Sequence, residues 1–266
     1  MMSYLKKIAL FNDWPERVKQ QGAQQLRSAL SLFALALFAA AVLRSFLFEP
    51  FTIPSTSMVP NLLVGDYIFV SKPAYGYSRY SFPFSLPLFE GRIYAAQPRR
   101  GDVLVFRNPK KNTIDYVKRV IALPGDTVQM KKGLLYINDA PIKRQYLGTI
   151  HGSNFLGTRY DTYHHFQETL DNGVTYTTLE HNNRSAFDDT ARIVVPDDHY
   201  FVMGDNRDDS SDSRDIINVG AIPDDHLVGK VSMILFSYRA DERVTLWNPW
   251  SWFAAFRHER FFKTVP

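Results

Sequence analysis

The sequence predicts a mainly β protein carried on one N-terminal transmembrane helix, with a smaller β-rich subdomain inserted in its second half. Three observations point there. A long apolar run stands near the N-terminus; only short apolar runs broken by Pro and Gly follow it; and 20 Phe and 14 Tyr stand beside 15 Pro and 14 Gly. Aromatic residues favour strands, and Pro and Gly favour the turns between them. The 266 residues, 45% hydrophobic and 22% charged, can fill a core and exclude a disordered polyelectrolyte.

The first 27 residues carry five Lys and Arg (Lys6, Lys7, Arg17, Lys19, Arg27) against Asp13 and Glu16. Charge then stops, and Ala29 to Leu43 is apolar except for Ser31. Taken from Ser28 to Phe48, the run is 21 residues. As a helix it measures about 31 Å, the thickness of a hydrocarbon core of roughly 30 Å. Arg44 lies near the outer end, where its stem reaches the headgroups. A cleaved leader is the competing reading, because Ala39, Ala40 and Ala41 resemble a cleavage site. Cleavage there would leave Val42 to Phe48 as an exposed apolar N-terminus. A buried core helix is disfavoured because no polar stripe interrupts the apolar surface. The basic flank puts residues 1–27 in the cytoplasm, 28–48 in the membrane and 49–266 outside it.

Beyond Pro50, Tyr67–Val70, Val103–Phe106, Tyr116–Ala122, Leu134–Ile137, Arg192–Val195 and Val231–Phe236 read as strands. Pro98 to Asp102, Leu123-Pro124-Gly125-Asp126, Asn138-Asp139 and Gly204-Asp205-Asn206 read as turns. Residues 140–195 are more polar and read as the inserted subdomain.

Composition and motifs exclude several chemistries. Without Cys there is no disulfide, thiolate metal site or Cys nucleophile. A net charge of +4 without a basic stripe gives no reason to expect nucleic acid as a partner. There is no phosphate loop, no H-E-x-x-H pair and no G-x-S-x-G elbow. The acidic cluster Asp205, Asp208, Asp209 and Asp212 departs from a calcium loop, since Arg207 takes the third position counted from Asp205. No metal site is expected.

Three segments remain. Pro54-Ser55-Thr56-Ser57-Met58-Val59-Pro60 puts two hydroxyls two residues apart between prolines; alone, such serines are usually turn or cap residues. Lys118 shares a strand face with Tyr116, Val120 and Ala122, and a lysine on a core face must lose its proton or find a partner. Snorkelling from a strand edge is the ordinary alternative. Met203 to Arg214 is too polar for a strand and suits a loop over a site.

Together, Pro-Ser-x-Ser-Met, Tyr-x-Lys-Arg and Gly-Asp-Asn-Arg-Asp-x-Ser-x-Asp-Ser-Arg resemble the type I signal peptidases, the membrane-bound Ser/Lys leader peptidases. The matching blocks, Pro50 to Lys72, Arg99 to Asp126 and Tyr200 to Arg214, cover about a quarter of the chain. The resemblance implies a signal-peptidase-like β domain in which Ser57 is the nucleophile and Lys118 the base. It implies an oxyanion donor at Ser55, a lysine-orienting Ser210 backed by Asp212, and a structural ion pair of Arg119 with Asp205. It further implies apolar substrate pockets from Phe51, Ile53, Met58, Leu62, Ile68, Val105, Tyr116 and Val117, most of which serve equally as β core. The implied substrates are signal peptides of exported preproteins, cut after an A-x-A-like site near the export channel at the bacterial inner membrane. No cofactor is implied. Many Gram-negative relatives carry a second N-terminal span, and this chain has room for one. Residues 73–98 and 140–195 follow no family pattern. The alternatives are another Ser/Lys processing peptidase, of conjugation or pilin type, and a non-catalytic membrane-anchored β protein of the secretion machinery.

The C-terminal stretch interleaves Trp247, Trp250, Trp252, Phe253, Phe256, Phe261 and Phe262 with Arg257, Arg260 and Lys263. That composition suits an interfacial membrane segment with its cations on anionic lipid, or rings that close the β core.

Overall fold

The computed structural model describes residues 16–82, 85, 89–153, 160–181, 185–239, 253 and 255–266. It divides into a helical unit ending at Arg44 and a β unit from Ser45 to Pro266. Lys6, Lys7 and Asp13 of the basic flank, and Trp247, Trp250 and Trp252 of the aromatic tail, lie outside the described residues.

Helix α1 runs from Glu16 to Phe46. It begins well before Ser28 because residues 16–27 are mostly strong helix formers, Gly22 excepted. It stops short of Phe48 because Pro50 favours extended backbone at Glu49, and the chain enters a strand instead. From Gln20 to Phe46 it is long and apolar enough to cross a membrane.

The longer strands are β1 (Phe48–Thr52), β2 (Asp66–Ser71), β3 (Val103–Arg107), β4 (Asp115–Ala122), β5 (Thr127–Lys131) and β6 (Leu134–Ile137). They are followed by β7 (Lys143–Ser153), β8 (Tyr160–Thr169), β9 (Thr175–His181), β10 (His199–Met203) and β11 (Leu227–Ser237). The main sheet has the order β1-β2-β11-β3-β4-β10, continues to Ile222–Pro223, and takes Lys263–Thr264 alongside β11. Every pairing in it is antiparallel. β1 forms an edge, where Pro50 removes no interior ladder bond.

β3 explains the layering. Val103 to Phe106 are all buried, and alternate residues serve different cores. Val103 and Val105 pack with Ile53, Met58, Leu62, Ile68 and Val231. Leu104 and Phe106 pack with Val120, Tyr200, Val202 and Leu227. The continuous apolar run is therefore a central strand covered on both faces.

Within residues 140–195, β7, β8 and β9 form a separate three-stranded antiparallel meander. The ends of this segment belong elsewhere: Ala140–Pro141 and Ile193–Val194 complete a four-stranded sheet with β5 and β6. Asn138 and Asp139, both at positive φ, make the tight turn from β6 to Ala140.

At the tail, Arg257 and Arg260 follow the second of the two readings the sequence leaves open, packing inward. Arg260 does not face lipid headgroups; it is buried and pairs with the fully buried Asp66 through Nε (3.0 Å) and Nη2 (2.6 Å). Arg257 is likewise engaged, donating to the carbonyls of Val64 (3.0 Å) and Tyr238 (2.9 Å). These guanidiniums satisfy carbonyls and a carboxylate that would otherwise be stranded. Phe253 and Phe262 remain exposed.

Replacing Arg260 by Met should lower the unfolding free energy by about 3–5 kcal/mol, because Asp66 then keeps a buried charge without its counter-ion. Urea denaturation of the detergent-solubilised chain measures it; an unchanged midpoint would mean that the pair contributes nothing.

Candidate active site

Ser57 stands on the loop joining β1 to β2. Buried Met58 and Leu62 pin that loop to the core, and its own turn bonds, Val59 N–H to Thr56 C=O (3.0 Å) and Leu62 N–H to Met58 C=O (2.9 Å), shape it. Across the loop, Asn206 N–H donates to Ser57 C=O (3.0 Å) and Asn206 Nδ2 to Thr56 C=O (3.3 Å). Segment 204–214 thus clamps the main chain around the hydroxyl.

Lys118 lies on β4, 4% exposed, with Nζ 2.6 Å from Ser57 Oγ and 3.0 Å from Val117 C=O. Ser57 is itself 7% exposed. The charged amine donates to the hydroxyl; once neutral, it offers a lone pair to the hydroxyl proton. Burial pushes Lys118 down to about 8. Asp212 and Asp205 pull the other way, and Arg214 adds to the depression.

Asp212 accepts from Arg214 Nε (2.8 Å) and Nη2 (2.8 Å) and from Gly204 N–H (2.9 Å). Burial alone would raise its carboxyl; Arg214 and the hydrogen bonds outweigh burial and hold it below the usual carboxylate range. Arg119 and Asp205 form a fully buried, two-pronged pair, with Nε–Oδ1 and Nη2–Oδ2 both 2.8 Å. Gly204 must lack a side chain, because a Cβ there would lie 2.2 Å from Ser210 Oγ and 2.5 Å from Ser57 O.

A cleft of about 350 Å³ opens on this pair. Of the eight pocket candidates, Phe51, Ile53, Met58, Val105, Tyr116 and Val117 line it. Leu62 and Ile68 sit behind the wall, fully buried in the core. Ser55 is on the rim, exposed, its Oγ 3.4 Å from Ser57 Oγ. Ser210 is buried on the same segment, and its hydroxyl is among the groups that hold the Asp212 carboxyl down.

Several contributors escaped the sequence reading. Thr52, Pro54, Ile114, Asp115, Asp209 and Ser211 also line the cleft; each lies in or beside a motif, and adjacency was the only available signal. Asn61 donates to Asp205 Oδ2 (2.8 Å), and nothing in the sequence announces it. Among the described residues no group of His, Asp and Glu could hold a metal ion.

A hydroxyl 2.6 Å from a buried amine, on the wall of an apolar cleft, is what a covalent nucleophile and its base require in a hydrolase. The chain belongs to the signal peptidase family, peptidase S26, whose sequence pattern matches residues 26–236, and it is an enzyme of that family. Relatives named signal peptidase I include that of Rickettsia typhi, 39% identical over 84% of this chain and 83% of its own length. Those of Rickettsia rickettsii (40%, covering 81% and 80%) and Rickettsia akari (41%, covering 77% and 77%) stand beside it. A solved signal peptidase I from Enterococcus faecalis aligns with 52% of this chain and 98% of its own, at 26% identity and a TM-score of 0.31.

The depressed lysine has a consequence for stability. Between about pH 8 and 10.5 the unfolded chain keeps a proton on Lys118 that the folded chain has released, so stability rises with pH across that window. Below it, holding the ammonium in the site costs about 3 kcal/mol. Lys118→Met should therefore be the more stable protein at pH 7 and lose that advantage above the window. Paired urea titrations from pH 6.5 to 10.5 test this; parallel curves would show that Lys118 titrates normally.

Proposed function

We propose that this chain is a membrane-anchored serine endopeptidase that removes N-terminal signal peptides from exported preproteins with a Ser57/Lys118 dyad. The carrying observation is the 2.6 Å approach of Lys118 Nζ to Ser57 Oγ where burial favours the neutral amine. Lys118 takes the hydroxyl proton as Ser57 Oγ attacks the scissile carbonyl. The same proton goes to the departing amine, leaving an ester on Ser57. Lys118 then deprotonates the water that hydrolyses the ester. Ser55, on the rim beside the nucleophile, donates to the developing oxyanion together with the Ser57 N–H.

The lining of the cleft supports small side chains. An extended peptide sends alternate residues to the same side, so the first and third residues before the cut meet the wall of Phe51, Ile53, Met58, Val105, Tyr116 and Val117. Ala at both positions follows. Anchoring falls to α1, with residues 1–27 cytoplasmic, a span that starts at 28 and ends with the helix at Phe46 in the bacterial inner membrane, and the β unit extracytoplasmic near the export channel. The excess of Lys and Arg before the apolar run supports that orientation. Residues 140–195, less the two ends that pair with β5 and β6, are proposed as the inserted subdomain.

Ser57→Ala and Lys118→Ala should each abolish preprotein cleavage in folded protein. Lys118→Arg should be equally inactive, since guanidinium has no accessible neutral form. Ser55→Ala should lose roughly 10²- to 10³-fold in kcat, one oxyanion donor being gone. Near-normal turnover by the Ser57 or Lys118 variant would refute the dyad and favour a non-catalytic anchored β protein.

Substrate choice is tested with peptides differing only at the residue before the cut. Ala should be processed well and Leu or Phe poorly; equal rates would remove the cleft from the specificity argument.

A further inference from the structure

Segment 204–214 is held from one side by the main sheet, through Arg119 and Asp205. Its other support comes from the inserted meander. Leu179 of β9 bridges to Asn206: Leu179 N–H donates to Asp205 C=O and Arg207 N–H to Leu179 C=O, both at 2.9 Å. Glu168 of β8, 0% exposed, receives both terminal nitrogens of Arg207, which is 1% exposed; the Nη1–Oε1 distance is 3.0 Å. Tyr176 Oη donates to the same carboxylate (2.9 Å), and its ring lies 4.3 Å from the Arg119 guanidinium. Thr177 of β9 reaches the nucleophile's loop, its carbonyl accepting from Asn61 Nδ2 (2.7 Å).

A fully buried ion pair is a poor device for stability, since apolar residues of similar volume often serve as well or better. This pair touches neither the cleft nor Lys118. Its place is one residue from Asn206, whose N–H holds the Ser57 carbonyl, and two residues from Asp205.

We propose that Glu168 is a positioning residue for the Ser57/Lys118 pair: through Arg207 it locks the segment that clamps Ser57 and flanks Lys118, making the inserted meander part of the active-site framework. The proposal rests on the dyad reading. The groups around Lys118 are the Ser57 hydroxyl from the β1–β2 loop, the Tyr116 ring on its own strand (5.4 Å), and Asp205, Asp212 and Arg214 from the clamping segment. Three of these five belong to the segment that Arg207 anchors. Loosening it admits water to the amine and restores the ammonium, so the damage is a shifted protonation equilibrium as well as a misplaced hydroxyl. Around Glu168 itself, Arg144 is shared with Glu180 and Tyr176 donates a hydrogen bond, so Arg207 supplies the second cation for these two carboxylates.

The full chain in detergent micelles is assayed on a signal-peptide substrate from pH 6 to 10, as Glu168→Gln, Glu168→Asp, the Glu168→Met/Arg207→Met pair and Ser57→Ala. Glu168→Gln should lose up to about 10²-fold in kcat with KM little changed, the scale of a displaced reacting group. Its rate should rise with pH along a curve displaced upward from the parent's. Glu168→Asp should recover part of the rate and return the curve towards the parent. The double variant leaves no lone buried charge, should unfold cooperatively like the parent, and should keep both the kcat loss and the displaced curve. The proposal fails if the folded double variant has the parent's kcat and pH curve. It also fails if every Glu168 variant merely loses amplitude in step with its folded fraction, the curve unmoved. An active Ser57→Ala would instead bring down the dyad reading. An inactive Ser57→Ala beside parent-like Glu168 variants brings down this proposal alone.

Discussion

The rest of the structure depends on one constraint: a lysine amine held out of water against a serine hydroxyl. Nζ of Lys118 lies 2.6 Å from Ser57 Oγ, and burial shifts the amine towards its neutral form. That arrangement opposes folding at neutral pH, so it persists only because the surroundings over-determine it. β4 supplies the lysine from the interior of the main sheet, the β1–β2 loop supplies the serine, and segment 204–214 clamps the serine's loop and brings Asp205, Asp212 and Arg214 near the amine.

Packing a polar segment beside a buried amine creates a second problem, because its own charges must also leave water. The solution is pairwise. Asp205 is matched by Arg119, Asp212 by Arg214 and Arg207 by Glu168, all almost fully buried. Only one partner in these pairs, Glu168, comes from the meander. The dense run of Asp and Arg in this segment, which as a sequence suggests a solvated loop or an ion site, is an interlocked set of counter-ions. The tail follows the same logic at the far edge of the sheet, where Arg260 neutralises Asp66.

Apolar periodicity accounts for what was legible. Val103–Phe106 and Leu134–Ile137 were readable as strands because a short continuous apolar run between turn residues has few other uses. β7, β8 and β9 were not, because residues such as Thr, His, Gln and Glu pair across the meander with little alternating apolar signal. Glu168 shows the difficulty: a glutamate in a polar stretch reads as surface, and only its partner Arg207, 39 residues further along the chain, takes it out of solvent.

The sequence by itself determined the class of protein, the apolar N-terminal run, the central strands β2, β3, β4 and β11 (but not β1 or β10) and the identity of the candidate nucleophile and base, because these are local patterns and ordered motifs. Tertiary structure alone decided that Leu62 and Ile68 stand behind the cleft wall, that Arg257 and Arg260 turn inward, and that the meander braces the clamping segment. The physical reason is common to all three. Which side of a wall a leucine occupies, and whether a charged side chain meets water or a counter-ion, depend on groups far away in sequence, and those meet only when the chain has folded.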